Sequence, residues 1–223
     1  MIVVAADHLP GGLRGLGQGR RSLRRSPHLS GSGRNTVNAI VPAARAGARV
    51  DPSELSWVLV DQDNGGPGLW WSRTPVTRAQ AGRPGGDLPL TGLTWGQANG
   101  VATDLGARLP TAAEWEWMAA GPSGRRFPWG DDDWTLRHAN LRDAGYGHAV
   151  PVGRFADGAT PDGIADVAGN VWEWTATRRP GGGAVVLGGS YHSLPRYAQC
   201  GYRNEVPTTV ASPGLGLRVV REP

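Results

Sequence analysis

The chain has 223 residues, a formal net charge of +4, 35 glycines, 18 prolines and 10 tryptophans, so its composition argues against both a helical bundle and a disordered chain. Its single cysteine, Cys200, excludes an intrachain disulfide and a cysteine-based zinc site, and no run approaches the roughly eighteen apolar residues of a membrane span. We therefore expect a compact, irregular, cytoplasmic protein with no membrane contact.

The positive charge is concentrated at the N-terminus. Residues 1–50 hold eight arginines and one acid, Asp7, whereas the remaining 173 residues hold fifteen arginines and eighteen acids. Apart from a short predicted strand over 1–6, this Gly-, Ser- and Arg-rich stretch is typical of a flexible basic arm. A weak contact with nucleic acid or an acidic partner and a solvated tail both remain open for it. Residues 51–223 are predicted to form one domain.

Two short strands and two helices are predicted in the first half of this domain. The strands cover 54–60 and 68–77 on either side of a turn, with Trp57, Trp70 and Trp71 covering one edge of the core. Each helix begins with a capping box, at Thr94-Trp-Gly-Gln97 and Thr111-Ala-Ala-Glu114. The first helix is expected to close at Gly106 and the second to run over 112–120.

The stretch 163–175 contains two tryptophans, two carboxylates, an asparagine and two glycines. In an extended segment Trp172 and Trp174 point to one side and Glu173 to the other. The oxygen atoms then available to a cation belong to Asp166, Gly169, Val171 and Glu173. An all-oxygen set suits Ca²⁺. The alternative is a Trp-rich core segment in which Glu173 hydrogen-bonds to a neighbouring loop.

Two further strands are predicted over 184–190 and 214–220, the second with alternating apolar residues. The residues between them, 191–213, form one irregular segment rich in Tyr, Arg, Asn, Ser and Thr.

Seven motifs in this order resemble the formylglycine-generating-enzyme (sulfatase-modifying factor) family over roughly residues 54–222. They are Trp95–Ala98, Arg108–Glu116, Phe127–Gly130, Ala139–Asn140, Gly169–Trp174, Gly188–Tyr191 and Gly216–Val219. The resemblance implies an α+β fold of the irregular C-type-lectin-like type with little regular secondary structure. It also implies two structural calcium sites, one at Asp166, Gly169, Val171 and Glu173, the other at Asn140 and the Leu141 carbonyl.

The catalytic chemistry of the family is not expected here. Its formylglycine-generating members hold copper with two cysteines that follow the G-G-S-W motif, where this chain has Ser193 near the first position and no cysteine at the second. Cys200 matches a third, non-catalytic position. An alternative function remains, a copper- or iron-dependent oxidase or oxygenase acting on a small molecule or peptide. Its candidate residues are His192, Tyr197 and Cys200.

A binding function is the preferred interpretation. Variable proteins of diversity-generating retroelements resemble the same domain and carry their ligand surface in the window that corresponds to residues 191–209. The candidate contact residues are Tyr191, His192, Arg196, Tyr197, Tyr202, Asn204 and Glu205, a mixture typical of paratopes. We expect a calcium-stabilised scaffold whose ligand is a protein or a small molecule. The competing interpretation is that these side chains only pack the loop onto the core.

Overall fold

The computed structural model describes residues 55–62 and 67–223. The predicted basic arm over 1–50 and its short strand lie outside the described residues. Within the described part, two small sheets and two helices are joined by long loops, and no helix is long and apolar enough to cross a membrane.

The first sheet contains the two strands predicted near the start of the domain. β1 (Trp57–Val60) and β2 (Leu69–Ser72) pair antiparallel, and β7 (Val220–Arg221) pairs with the other side of β2. Both predicted strands are confirmed, although shorter than expected. Of the three tryptophans expected at this edge of the core, Trp71 is buried, whereas Trp57 and Trp70 are partly exposed. The guanidinium carbon of Arg221 lies 4.2 Å from the centroid of the Trp57 ring.

The second sheet has the order β5-β4-β3-β6. β3 (Trp172–Arg178) pairs antiparallel with β4 (Gly183–Leu187) and parallel with β6 (Leu215–Leu217), and β5 (Asn204–Pro207) pairs antiparallel with β4. Every residue of β4 and β6 is buried. These strands lie in the core and carry apolar runs, in keeping with burial on both faces.

The C-terminal strand predicted over 214–220 is divided between the two sheets. β6 ends at Leu217, Arg218 and Val219 bridge the gap, and β7 begins at Val220. The Ser72 amide donates to the Val219 carbonyl at 3.0 Å, so the bridge itself is tied to β2. The prediction of one continuous strand is therefore wrong, because the chain changes sheets at the charged residue.

Both helices begin at their capping boxes, as predicted. α1 (Trp95–Asp104) is capped by Thr94, and α2 (Ala112–Ala120) by Thr111. In α2 the Thr111 hydroxyl accepts from the Glu114 amide at 3.2 Å, and the Glu114 carboxylate accepts from the Thr111 amide at 2.7 Å. Gly106 follows α1 with a φ of 66°, a conformation that favours glycine.

The core consists of two main clusters of buried apolar side chains. Trp172 and Trp174 lie in the cluster that α1 covers, and Trp115 of α2 lies in the other with Trp71. Buried indoles need a partner for the ring N–H, and Trp174 donates to the Leu93 carbonyl at 3.1 Å. The tryptophans therefore hold the irregular loops as well as filling the core.

Candidate functional site

Two buried residues before β3 have backbone conformations that side chains rarely adopt. Asp166 has a φ of 54° and Asn170 a φ of 60°. Such residues cost about 1–3 kcal/mol each and persist only where the surroundings hold them. The Asn170 amide group bonds to both the N–H and the C=O of Val150, at 2.9 and 3.0 Å. The loop 166–170 is therefore held firmly where the family resemblance places a metal.

Glu173 is enclosed completely and has charged and polar partners. Its carboxylate accepts from the Trp115 indole N–H at 2.6 Å and from Arg218 Nε and Nη2 at 3.1 and 2.9 Å. Both members of the ion pair are fully buried. Bidentate, charge-assisted bonds of this kind are the strong ones.

Arg218 was not recognised as a site residue from sequence. Besides Glu173, it donates to the Ser72 carbonyl at 2.9 Å and to the Ala165 carbonyl at 2.8 Å. It thus joins β2, β3 and the loop before Asp166. The signal for this role was a single charge within the apolar run of residues 215–220, since a buried arginine needs partners.

Asp166 belongs to the same electrostatic cluster. Burial raises the pKa of this carboxyl and the nearby Glu173 charge adds to the rise, whereas the Gly153 amide and Arg218 oppose it. When Asp166 is ionised, the buried group of Asp166, Glu173 and Arg218 has one excess negative charge. That excess favours a bound proton or cation.

The first predicted metal set fits calcium only in part. Asp166 and Glu173 are brought into one cluster, but Trp115 and Arg218 already occupy both oxygens of Glu173. The carbonyl of Gly169 accepts from the Val171 amide at 2.7 Å. Fewer oxygen atoms of this set therefore remain available to a cation than the sequence suggests. For the Glu173 side chain, the structure agrees with the alternative of a hydrogen-bonded core residue.

The second predicted set contains an oxygen that lacks a partner. Asn140 is fully buried, and its Nδ2 donates to the His148 carbonyl at 3.0 Å and to Asn170 Oδ1 at 3.1 Å. Since both neighbours are acceptors, the orientation of the amide is determined, and Oδ1 is left without a hydrogen bond within the described part of the chain. The Leu141 carbonyl accepts from the Ala144 amide at 2.9 Å. A buried amide oxygen without a donor fits a hard cation.

The predicted ligand segment alternates between buried and exposed side chains. The buried ones are Tyr191, Ser193, Ala198, Cys200, Asn204 and Val206. The exposed ones are His192, Arg196, Arg203, Glu205 and Thr209. Tyr197 and Tyr202 are partly buried.

The candidate contact residues are thus fewer than the sequence suggested. Tyr191 is buried, and burial raises the pKa of its phenol. Asn204 is buried on β5, where its Oδ1 accepts from the Glu205 amide at 2.9 Å. Neither side chain lies at the surface, because both point toward the core beneath the segment. His192, Arg196 and Glu205 are the predicted contact residues that face solvent.

The candidate catalytic residues do not form a reactive group in this structure. Burial raises the pKa of the Cys200 thiol to about 12. The Tyr197 hydroxyl accepts from Arg196 Nη2 at 2.8 Å, and the His192 ring contacts the Tyr191 ring with centroids 4.4 Å apart. Within 55–62 and 67–223, no three His, Cys, Asp or Glu side chains form a group suited to a metal.

Residues 56–223 match the family model described as the sulfatase-modifying factor enzyme 1-like domain, and the chain belongs to this family. It is 34% identical over 183 residues to the hercynine oxygenase of Mycobacterium tuberculosis, covering 70% of this chain and 43% of that protein. It is also 34% identical over 190 residues to the formylglycine-generating enzyme of Streptomyces coelicolor, covering 70% and 59%. The chain thus spans less than two thirds of the length of these relatives.

Solved structures confirm the fold class. Treponema denticola variable protein 1 superposes with a TM-score of 0.62 at 20% identity, covering 76% of this chain and 92% of that one. PvdO from Pseudomonas aeruginosa gives the same TM-score and identity, covering 75% and 91%. At this identity the likeness shows the fold alone, which is the predicted irregular α+β, C-type-lectin-like fold.

Proposed function

We propose that this domain is a calcium-stabilised binding module that presents residues 191–209 to a protein or small-molecule ligand. The observation that carries the proposal is the alternation in this segment, where buried side chains anchor it and exposed polar side chains stand between the anchors. Such a division allows the outward residues to vary without loss of the core.

Long-range backbone hydrogen bonds hold the segment. The Tyr191 amide donates to the Asn170 carbonyl at 3.2 Å, the Arg142 amide to the Ser193 carbonyl at 3.1 Å, and the Cys200 amide to the Arg126 carbonyl at 2.9 Å. These bonds reach three separate parts of the domain. A segment ordered before binding loses less conformational entropy when a ligand arrives.

Arg196 and Tyr197 form a rigid unit at the surface. The guanidinium carbon lies 4.6 Å from the Tyr197 ring centroid, and Nη2 donates to the tyrosine hydroxyl at 2.8 Å. The Tyr197 ring packs against Tyr202 with centroids 5.0 Å apart, and Tyr202 contacts Trp172. The exposed guanidinium is therefore oriented by a chain of rings that ends in the core, as in interface anchors rich in Tyr and Arg.

An ion pair ties the end of the segment to α2. Arg203 donates from Nε and Nη2 to the two oxygens of Glu116, in a bidentate arrangement. Arg203 itself is exposed and directly precedes β5, whereas its partner Glu116 belongs to α2. The pair still contributes to the position of the segment, because bidentate geometry restricts both side chains.

Calcium enters the proposal as a structural ion. Two observations support it. Asn140 Oδ1 has no hydrogen-bond partner among the described residues, and the buried group has excess negative charge when Asp166 is ionised. A cation at either place neutralises charge or satisfies an oxygen that the fold leaves buried. In a domain with so little regular structure, such an ion adds stability by joining loops.

The test is a binding screen of the wild type and a triple variant, H192A/R196A/E205A, against arrays of peptides and glycans. We expect ligands that the wild type binds and the variant does not, while the melting temperatures of the two proteins agree. R179Q, an exposed arginine on another loop, is the control. Ligands bound equally by wild type and triple variant would place the contact surface elsewhere.

A metal-dependent oxidase or oxygenase is the second candidate. The similarity to hercynine oxygenase supports it, as does an exposed imidazole, His192, within the segment that the family uses for chemistry. Elemental mass spectrometry after exposure to calcium, copper and iron separates the two proposals. Calcium alone supports the binding module, whereas stoichiometric copper or iron supports the enzyme.

A further inference from the structure

A second surface, separate from residues 191–209, has the features of a ligand site. A cleft of about 320 Å³ opens between the loop that contains Leu136 and Arg137 and the loop that contains Tyr146 to Asp157. We call it the Arg154 cleft, after the arginine on its wall. Its volume is at the lower end of the range for small-molecule sites.

Arg154 is an exposed arginine held in place by aromatic rings. Its guanidinium carbon lies 5.1 Å from the centroid of Tyr146, and Tyr146 meets the buried Phe155 edge to face at 6.3 Å. Within the described residues no carboxylate lies at ion-pair distance from Arg154. The side chain is therefore oriented by stacking while its donors remain available.

The charge of the cleft favours a monoanion. Arg137 also lines it, but Arg137 Nε donates to Asp157 Oδ2 at 2.7 Å, so that arginine is already neutralised. Arg154, Arg137 and Asp157 together carry one net positive charge. A single carboxylate balances that charge, whereas a dianionic phosphate exceeds it.

The wall of the cleft is also apolar. Leu136 is 63% exposed, the larger exposed fraction of the two large hydrophobic side chains that are exposed in the described part of the chain. It lies in the same cleft as the Tyr146 ring. An exposed leucine beside a guanidinium that has no carboxylate partner in the described part of the chain matches a ligand that joins an apolar group to an anion.

We infer that the Arg154 cleft binds a carboxylate that carries an apolar or aromatic group, with the carboxylate on the Arg154 guanidinium and the apolar group against Leu136 and Tyr146. The same chemistry occurs in a free aromatic acid and in the C-terminal residue of a peptide. This site is independent of the proposed contact surface, since it uses none of its residues.

The probe is 3-phenylpropionate, followed by ligand-observed NMR with the full chain. A ligand of this size is expected to bind with a Kd of about 1 mM. Its uncharged analogue, 3-phenylpropan-1-ol, is expected to bind at least about tenfold more weakly, because it lacks the charge-assisted bond. Equal binding of the acid and the alcohol, or no binding of the acid at about 10 mM, overturns the inference.

Three variants test the residues. R154Q is expected to weaken binding by at least about tenfold, and R154K, which keeps the charge without the planar fork, by less. R179Q, an exposed arginine outside the cleft, is the matched control and is expected to bind as the wild type does. Unchanged binding by R154Q overturns the inference. Because Arg154 is exposed, its variants are expected to have the same melting temperature as the wild type. A thermal scan measures it.

N-acetyl-Gly-Phe separates the two sources of the carboxylate. Tighter binding of this dipeptide than of 3-phenylpropionate identifies a peptide C-terminus as the ligand. Tighter binding of the free acid identifies a small molecule. Loss of this binding in H192A/R196A/E205A, which leaves the cleft intact, overturns the independence of the two surfaces.

Discussion

Arg218 and Glu173 form a bidentate ion pair with both side chains fully buried, although 45 residues separate them in the sequence. The pair joins the residue that follows β6 to the start of β3 and, through Arg218, reaches the Ser72 carbonyl at the end of β2. The residue that stands between the two sheets is thus also the residue that neutralises the buried glutamate.

Removing one member of this pair is expected to destabilise the fold strongly. In R218M, Glu173 remains buried without its counter-charge, which costs about 3–5 kcal/mol of unfolding free energy. Urea denaturation measures the loss. The exposed pair of Arg126 and Asp133 serves as a control, and D133N is expected to change stability little. An R218M variant as stable as the wild type would contradict the structural role of the pair.

The double variant E173Q/R218M is expected to be more stable than R218M alone. Removing the second charge relieves the uncompensated carboxylate, although the two changes do not add because the side chains touch. The double-mutant cycle, measured by the same urea transitions, gives the coupling energy. A cycle in which the two effects simply add would show that the charges are not coupled.

Calcium is expected to raise the melting temperature of the protein. A ligand that binds only the native state at 100 times its Kd adds about 2.7 kcal/mol. Thermal scans in calcium and in excess chelator measure the difference, and D166N and N140A are expected to reduce it because each removes a ligand oxygen from a different predicted site. Equal melting temperatures with calcium and with chelator would show that calcium does not stabilise the folded protein.

The exposed and buried residues of the predicted contact segment are expected to behave differently. H192A and R196A should stay within about 0.5 kcal/mol of the wild type, as exposed substitutions usually do. Y191A should lose about 3–5 kcal/mol, because it leaves a cavity under the segment. Chemical denaturation of the three variants measures this contrast. Similar stabilities for all three would show that Tyr191 is not an anchor.

Cys200 is expected to be unreactive in the native protein. Burial raises its pKa to about 12, above the value of about 8.5 for an unfolded chain, so the native thiol stays protonated at neutral pH. The stability that this protonated thiol contributes is present below about pH 8.5 and is lost as the pH rises toward 12. Labelling with a thiol reagent at pH 8 should be slow and should accelerate in urea.

The wild type and C200A provide the control for this pH dependence. The two proteins should differ in the slope of stability against pH above about pH 8.5, where only the wild type has a thiol to ionise. Rapid labelling of the native protein would contradict the burial of the thiol and return Cys200 to the candidate catalytic residues.

The helix starts could be predicted because they depend on neighbours in the sequence. In a capping box, a threonine and a Glu or Gln three residues later bond through atoms within one helical turn, and both capping boxes occur as expected at Thr94 and Thr111. The two strands on either side of the turn were predicted from local signals too, and the structure pairs them as β1 and β2.

The site could be predicted only in part. The stretch around Asp166 and Glu173 was identified from its composition, but the sequence placed Glu173 among open ligands, whereas the fold gives it Arg218 and Trp115 as partners. Likewise Tyr191 and Asn204 were expected at the surface. A single sequence shows that tyrosines and asparagines are present in a loop, not which of them turn inward.

By itself, the sequence determined the family, the helix starts, the first two strands and the segments that carry the candidate sites. These depend on local hydrogen bonds and on motifs within a few residues of each other. The tertiary structure decided which carboxylate pairs with Arg218, which side chains of 191–209 face solvent, and where the chain changes sheets. Burial and charge pairing arise from contacts between residues far apart in the chain, and only the folded packing brings those residues together.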